Sequence, residues 1–347
     1  MINQPIRIAI NGFGRIGRCV LRAIYEHRLN HQLEVVTINE PAANLETMAY
    51  LTQFDSTHGL FPGNIDFDNH YLYVNGHPIQ INNQKDAEKV PWAQYNLDVL
   101  LECSGVYTSR ADLQRFIEHG CPRVLVSNPG SDAKEVDYTV VLGVNDQGLN
   151  GNQTIVSNAS CTTNAIVPVL HALNNHYGIE ATFLTTLHSV MNDQPMIDGY
   201  HNADLRRTRS ALQSMIPVST GLARGVERLL PELKGKVTAK AVRVPILNVS
   251  AIDLIAQLNK HPSTKELNSL LRAEAAKSPH IIGFSERPHA SIDFNHDSHS
   301  VVIDGSQTQT KESGLINVFV WFDNEWAFAN RMLDITQIWA RQFIKST

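Results

Sequence analysis

The sequence predicts an α/β protein in two parts: a doubly wound, mostly parallel unit over residues 1–160, then a second α/β domain with a mixed or antiparallel sheet over 161–324. Three observations predict it. Up to about residue 160, short apolar runs alternate with amphipathic helical patterns, as crossover-connected parallel strands require. Beyond that point, longer runs with period-two character cluster together and mark strands with one covered face. Finally, 347 residues suit about two domains, and 43% hydrophobic with 18% charged residues describes a chain that buries a sizeable core. A disordered or fibrous chain is excluded.

In chain order, Ile6–Ile10, Glu34–Ile38, Asp98–Glu102, Arg123–Val126 and Tyr138–Leu142 read as buried strands. Arg15–His27 and Arg110–His119 read as amphipathic helices between them. In the second part Ala181–His188, Thr238–Arg243, Val249–Leu258, Ser291–Phe294 and Leu315–Phe322 read as strands, and segments 263–277 and 325–345 as helices. No Gly/Ser-rich linker separates the halves, so two domains packed together with a site in the cleft are expected.

Charge and cysteine content narrow the function classes. Lys+Arg 29 against Asp+Glu 34 leaves a net charge of −5, with no basic excess to bind nucleic acid or an anionic membrane. The opening residues lack a charged stretch followed by an apolar one, and no run approaches the roughly 18 apolar residues that span a bilayer. The four cysteines, Cys19, Cys103, Cys121 and Cys161, contain no C-x-x-C pair and are too few to staple a secreted scaffold of this size. A reduced, cytoplasmic setting is expected.

Strand Ile6–Ile10 runs directly into Asn11-Gly12-Phe13-Gly14-Arg15-Ile16-Gly17-Arg18 and then a helix. This is G-x-G-x-x-G in a strand–turn–helix setting, the Rossmann-type dinucleotide fingerprint. Gly12 permits the tight turn, Gly14 lets backbone approach a pyrophosphate, and Gly17 lets helix and strand pack closely. The second strand ends at Ile38-Asn39-Glu40. A carboxylate there accepts both ribose hydroxyls and repels a 2′-phosphate, which favours NAD over NADP.

Ser157-Asn158-Ala159-Ser160-Cys161-Thr162-Thr163-Asn164 sets one cysteine among small polar residues at the start of a helix from Thr162 to about Asn174. The helix dipole there stabilises a thiolate, and the free N–H groups suit an oxyanion. Pro168 sits awkwardly in that helix. His188 ends an apolar strand and is positioned to serve as general base to Cys161. Cys19, Cys103 and Cys121 read as packing residues, as do Trp92, Tyr95 and Trp339.

Residues 11–18, 157–164, His188 at this spacing, and Trp321-Phe-Asp-Asn-Glu-Trp326 together resemble the glyceraldehyde-3-phosphate dehydrogenase family over essentially the whole chain. The resemblance implies that Cys161 attacks an aldehyde carbon while His188 takes the proton, and that hydride loss leaves a thioester. It further implies NAD contacts from Gly12, Gly14, Arg15, Ile16, Gly17, Glu40, Lys85 and Asn324, the last orienting the nicotinamide amide. Ser160, Thr162, Thr220, Gly221, Arg207 and Arg243 would bind the anionic parts of a sugar-phosphate aldehyde. Arg206 and Arg209 belong to the same charged run, and Arg209 reads as part of a solvated face. A C-terminal helix over 325–347 returning to the NAD-binding domain, and a homotetramer with residues 190–217 near a neighbour's NAD, also follow from the resemblance.

Within the family, His188–Gln194, Tyr200-His201 with Asp204–Arg209, and Asp293–Ser300 carry a finer likeness to members that oxidise erythrose 4-phosphate in supply of pyridoxal-phosphate synthesis. Glyceraldehyde-3-phosphate enzymes commonly place Thr where Met191 stands, a second Cys at Ala165, and Thr-Gly-Ala-Ala where this chain has Thr220-Gly-Leu-Ala223. Met191 donates no comparable hydrogen bond to a phosphate. The alternatives are a phosphorylating glyceraldehyde-3-phosphate dehydrogenase and a non-catalytic NAD-binding regulator on the same fold. No metal is expected: His289, His296, Asp297 and His299 match no zinc spacing.

Overall fold

A computed structural model describes residues 4–202 and 204–344. The outer ends of the expected ranges (residues 1–3 and 345–347) and Ala203 lie outside the described residues. The chain divides into two compact units, one holding the residues up to Ser160 together with those from Phe328 onward, the other Cys161–Ala327.

The first unit is built on a nine-stranded sheet. Its parallel part runs, in spatial order, Tyr138–Thr139, Ile155–Ser157, Val124–Val126, Val99–Glu102, Ile6–Asn11, Leu33–Asn39 and His77–Asn82. Tyr71–Val74 and Ile65–Phe67 extend it antiparallel at one edge. The central strands are buried on both faces, and so they read as continuous apolar runs rather than alternating ones. Helices Arg15–Glu26 and Arg110–Glu118 fall where their periodicity placed them. The Ser109 hydroxyl caps the second of these by accepting the Asp112 N–H.

Three features of this unit differ from the sequence reading. The strand expected over Tyr138–Leu142 is paired only at Tyr138–Thr139. There the Asn145 side chain donates to Thr139 O at 2.9 Å and accepts the Val141 N–H at 2.8 Å, replacing ladder partners with a local turn. Helix Leu45–Gln53, capped by Asn44, was not anticipated, because only Met48, Ala49 and Thr52 are buried and its apolar stripe is thin. The strands over 65–82 were not anticipated: they are short, and Ile65–Phe67 is largely exposed, although Leu72, Val74 and Ile79 are buried. The C-terminal helix spans Trp326–Ala340. From Phe328 onward it packs within the first unit: Trp339 Nε1 donates to Asn150 O at 3.1 Å, and Arg123 lies 3.5 Å over the Phe343 ring.

The second unit carries a seven-stranded mixed sheet in the order Ile216–Val218, Val237–Arg243, Ile179–His188, Ser250–Leu258, Leu315–Phe322, Val301–Thr310 and Ile282–Ser285. Strands Ile179–His188 and Val237–Arg243 pair parallel, as do Ile282–Ser285 and Val301–Thr310; the other contacts are antiparallel. Helix Thr264–Lys277 starts at a capping box in which Ser263 and Glu266 satisfy each other's backbone N–H groups. The strand expected at Ser291–Phe294 is instead a 3₁₀ turn. Asp293 accepts the Ala290 N–H at 2.9 Å, Ile292 faces solvent, and Phe294 stacks on Trp321 with centroids 5.8 Å apart. A polar–apolar–polar–apolar tetrad fits one turn of 3₁₀ helix as well as a short strand, and the local Asp bond decides between them. No helix among the described residues is long and apolar enough to cross a membrane. None of the four cysteines is in a disulfide.

Candidate active site

In the first unit, strands Ile6–Asn11, Leu33–Asn39 and Val99–Glu102 end side by side, and a cavity of about 260 Å³ opens beyond their carboxyl ends. Asn11, Gly12, Gly14, Asn39, Glu40 and Lys85 line it. This is where an open parallel sheet reverses strand order and binds ligands. Gly12 has φ +89°, and a Cβ added to it would lie 2.5 Å from the Ser104 backbone. A Cβ on Gly17 would lie 2.2 Å from the Gly12 carbonyl oxygen, whereas one on Gly14 would meet nothing within 4 Å. Gly12 and Gly17 thus hold the turn tight, while Gly14 leaves its cavity side clear. Gly14 is also the N-cap of helix Arg15–Glu26 with no side-chain cap and no acid in the first turn, leaving N–H donors and the positive dipole end for phosphate.

Glu40 accepts the Phe13 N–H and the Ala42 N–H, both at 2.8 Å, which aims its carboxylate across the turn. Arg15 and Ile16 open the helix and are not among the residues lining the cavity. Arg15 makes a bidentate pair with Asp55 at 2.6 and 3.1 Å. Burial works against the Asp55 charge, yet Arg15 and the His58 and Thr57 N–H groups hold its carboxyl well below the usual carboxylate range.

In the second unit, Cys161 is the first residue of helix Cys161–Tyr177, which runs through Pro168 without ending. His188 is the last residue of its strand and 7% exposed. Its Nδ1–H donates to the Ser189 carbonyl at 2.8 Å. A carbonyl oxygen only accepts, so this bond fixes the tautomer and leaves Nε2 bare, 3.7 Å from Cys161 Sγ. Arg243 pairs in register with His188 across the parallel ladder.

The electrostatics correct one expectation. Arg243 and the helix N–H groups do favour the thiolate, but burial outweighs them and pushes the Cys161 thiol up to about 11. Burial, assisted by Arg243, lowers His188 to about 4. At neutral pH the pair therefore rests as thiol and neutral imidazole. It is a hydrogen-bonded donor and base rather than an ion pair.

Among the remaining residues, Arg207 binds Asp193 at 2.8 Å, and the charges of both act on Arg243. Arg209 pairs with Asp198 on an exposed face, and its side chain is 65% exposed. Thr220 and Gly221 precede helix Leu222–Leu229. Close packing at Gly225, where an added Cβ would lie 2.8 Å from the Thr163 methyl, draws that helix onto the turn after Cys161. Asn324 is 9% exposed, and its Oδ1 accepts hydroxyl hydrogens from Ser189 at 2.9 Å and Ser250 at 2.8 Å. Those two bonds fix which edge of the carboxamide carries its N–H donors.

Ser189, Ser250 and Glu102 escaped the sequence reading. Ser189 and Ser250 come together only through sheet register. Glu102 closes the strand read as buried over Asp98–Glu102 and is itself fully buried, which its charge alone does not suggest. That burial raises its carboxyl to about 7 against the pull of hydrogen bonds from Asn11 and Ser104.

One unit carries a cavity lined by the glycine-rich turn and Glu40, and the other a thiol hydrogen-bonded to a tautomer-fixed imidazole, the parts that an NAD-dependent oxidoreductase acting on an aldehyde group requires. Residues 6–110 match the family model for the glyceraldehyde 3-phosphate dehydrogenase NAD binding domain, and residues 160–324 that for the C-terminal domain. The chain belongs to the glyceraldehyde-3-phosphate dehydrogenase family.

Proposed function

We propose that the chain oxidises D-erythrose 4-phosphate to 4-phosphoerythronate, with water resolving a Cys161 thioester. As its Sγ–C bond forms, the Cys161 proton passes through His188 Nε2 to the carbonyl oxygen, and the aldehyde becomes a neutral hemithioacetal. Bound NAD supplies the hydride acceptor. His188 takes the hemithioacetal hydroxyl proton as the C–H hydride departs, leaving the thioester. His188 releases that proton to solvent; water then adds to the thioester carbonyl, its proton passes through His188 to Sγ, and the thiol leaves. Arg207 and Arg243 hold the substrate's anionic end, with Ser160, Thr162, Thr220 and Gly221 as the hydroxyl and backbone cradle. Asn324 orients the nicotinamide amide, and Lys85 and Glu40 serve the adenosine side.

Met191 carries the choice of substrate. It follows His188 by three residues, is 46% exposed, and offers a thioether where triose-phosphate enzymes commonly offer a threonine hydroxyl. One fewer phosphate contact at that point suits a substrate one carbon longer. The retained cradle of Ser160, Thr162 and Thr220 favours a second reading, phosphorylating oxidation of glyceraldehyde 3-phosphate. Measuring kcat/KM for both aldehydes, with and without inorganic phosphate, separates them. The expected result is at least about tenfold preference for the tetrose, the scale on which a pocket reads one carbon, and no phosphate requirement. Preference for the triose with strict phosphate dependence would overturn the proposal.

A homotetramer is part of the same proposal, and the 4-phosphoerythronate formed would serve pyridoxal-phosphate synthesis in the cytoplasm. Met196, Ile197, Leu205 and Met215 are 70%, 78%, 84% and 74% exposed on the irregular stretch after His188, a density of bare apolar side chains that a partner surface covers. Light scattering is expected to return four times the 38.7 kDa chain mass; a monomer mass at micromolar concentration would refute it.

A further inference from the structure

Glu102 is 0% exposed and forms no ion pair among the described residues; the Asn11 amide, the Ser104 hydroxyl and N–H and the Gly105 N–H donate to its carboxylate. A buried carboxylate is costly to keep unless its hydrogen bonds do something that an apolar residue would not. Oε1 accepts the Ser104 N–H at 2.8 Å and the Ser104 hydroxyl as well. Oε2 accepts Asn11 Nδ2 at 2.5 Å. Asn11 Oδ1 accepts from Asn39 Nδ2 at 2.9 Å, and Asn39 in turn bonds the Gln84 backbone through both ends of its amide. Asn11, Asn39, Gln84 and Ser104 all line the NAD cavity; Glu102 lies behind them and does not.

The two turns that Glu102 joins leave no slack between them. The Cys103 N–H donates to Asn11 O at 2.8 Å, and the Gly12 α-carbon has no room for a methyl against Ser104. We infer that Glu102 is a positioning residue for NAD: it sets the distance between the phosphate-binding turn and the turn after Val99–Glu102, and through Asn11 and Asn39 it holds the adenosine wall in register with both.

Glu102→Gln tests this, because its amide hydrogens face those of Asn11 and the bond is lost with little change in shape. Three quantities are read: NAD Kd by calorimetry, the Tm of the protein without NAD, and kcat at saturating NAD. The expected result is a Kd raised about tenfold with kcat unchanged. The double variant Glu102→Gln/Asn11→Asp restores a donor facing an acceptor and is expected to return Kd to within about threefold of the parent. Ser104→Ala, which removes the hydroxyl's bond to Glu102 and the Val106 N–H bond it accepts at 3.1 Å but keeps the Ser104 N–H bond, is expected to raise Kd about threefold and keeps the test open if Glu102→Gln folds poorly. A Kd for Glu102→Gln within twofold of the parent would overturn the inference. So would equal losses in kcat and NAD affinity, or a double variant no better than the single one.

Discussion

Replacing Cys161 with Ser is expected to lower kcat by about 10⁴-fold or more while leaving Tm and NAD Kd close to the parent values. A serine hydroxyl is far less acidic and less nucleophilic than a thiol, and the neutral His188 beside it is a weak base for so reluctant a proton. The change removes one sulfur and adds no volume, so helix Cys161–Tyr177 keeps its packing. Nor does Cys161 line the nucleotide cavity. The burst of NADH that precedes steady turnover in a thioester mechanism should vanish as well. In the parent, iodoacetamide should modify Cys161 faster as pH rises from 7 to 8.5, because the resting group is a thiol raised by burial rather than a preformed thiolate. Retention of more than a hundredth of parental kcat in the serine variant would rule Cys161 out as the nucleophile.

His188→Asn is expected to lower kcat by about 10²–10⁴-fold, the usual worth of one positioned general base. Asn preserves much of the volume and still reaches the Ser189 carbonyl, but its amide takes no proton from Sγ. Acid stability gives a second readout. In the unfolded chain a histidine titrates near its ordinary value of about 6.5, whereas in the folded protein His188 takes a proton only at about 4. Between those values the unfolded state binds more protons, so acid favours unfolding. The stability that the neutral ring contributes is complete above about pH 6.5 and is lost as pH falls toward 4, amounting to about 3 kcal/mol. The Asn variant lacks this dependence, so the parent's Tm should drop relative to the variant's as pH goes from 7 to 4.5. A Tm difference that stays constant over that interval would show that His188 is not held neutral by burial.

Much of the site was legible before any coordinates, for physical reasons. The phosphate-binding turn is local: three glycines lie between one strand and the helix that follows it, and a side chain at Gly12 or Gly17 would collide with neighbouring backbone while Gly14 leaves the cavity side clear. Cys161 stands out as the candidate nucleophile because a cysteine among small polar residues at a helix start is an unusual chemical setting. Ser189 and Ser250 were not, since two buried serines acquire meaning only when the register of Ser250–Leu258 against Leu315–Phe322 and Ile179–His188 brings both hydroxyls onto Asn324. The strand expected at Ser291–Phe294 failed because four residues carry too little periodicity to outvote one aspartate bonded to its own turn.

The sequence by itself determined the fold class and the NAD-binding fingerprint, and it singled out Cys161 and His188 as the candidate nucleophile and base, because such patterns are carried by the chain itself. Only the tertiary structure decided how that chemistry is tuned. The dipole that favours a thiolate loses to desolvation, an outcome set by how much protein surrounds Sγ. The tautomer of His188, the facing of Asn324 and the carboxylate of Glu102 behind the NAD cavity are likewise products of contacts between distant segments. Burial and hydrogen-bond direction arise from packing, and packing is what a linear pattern does not contain.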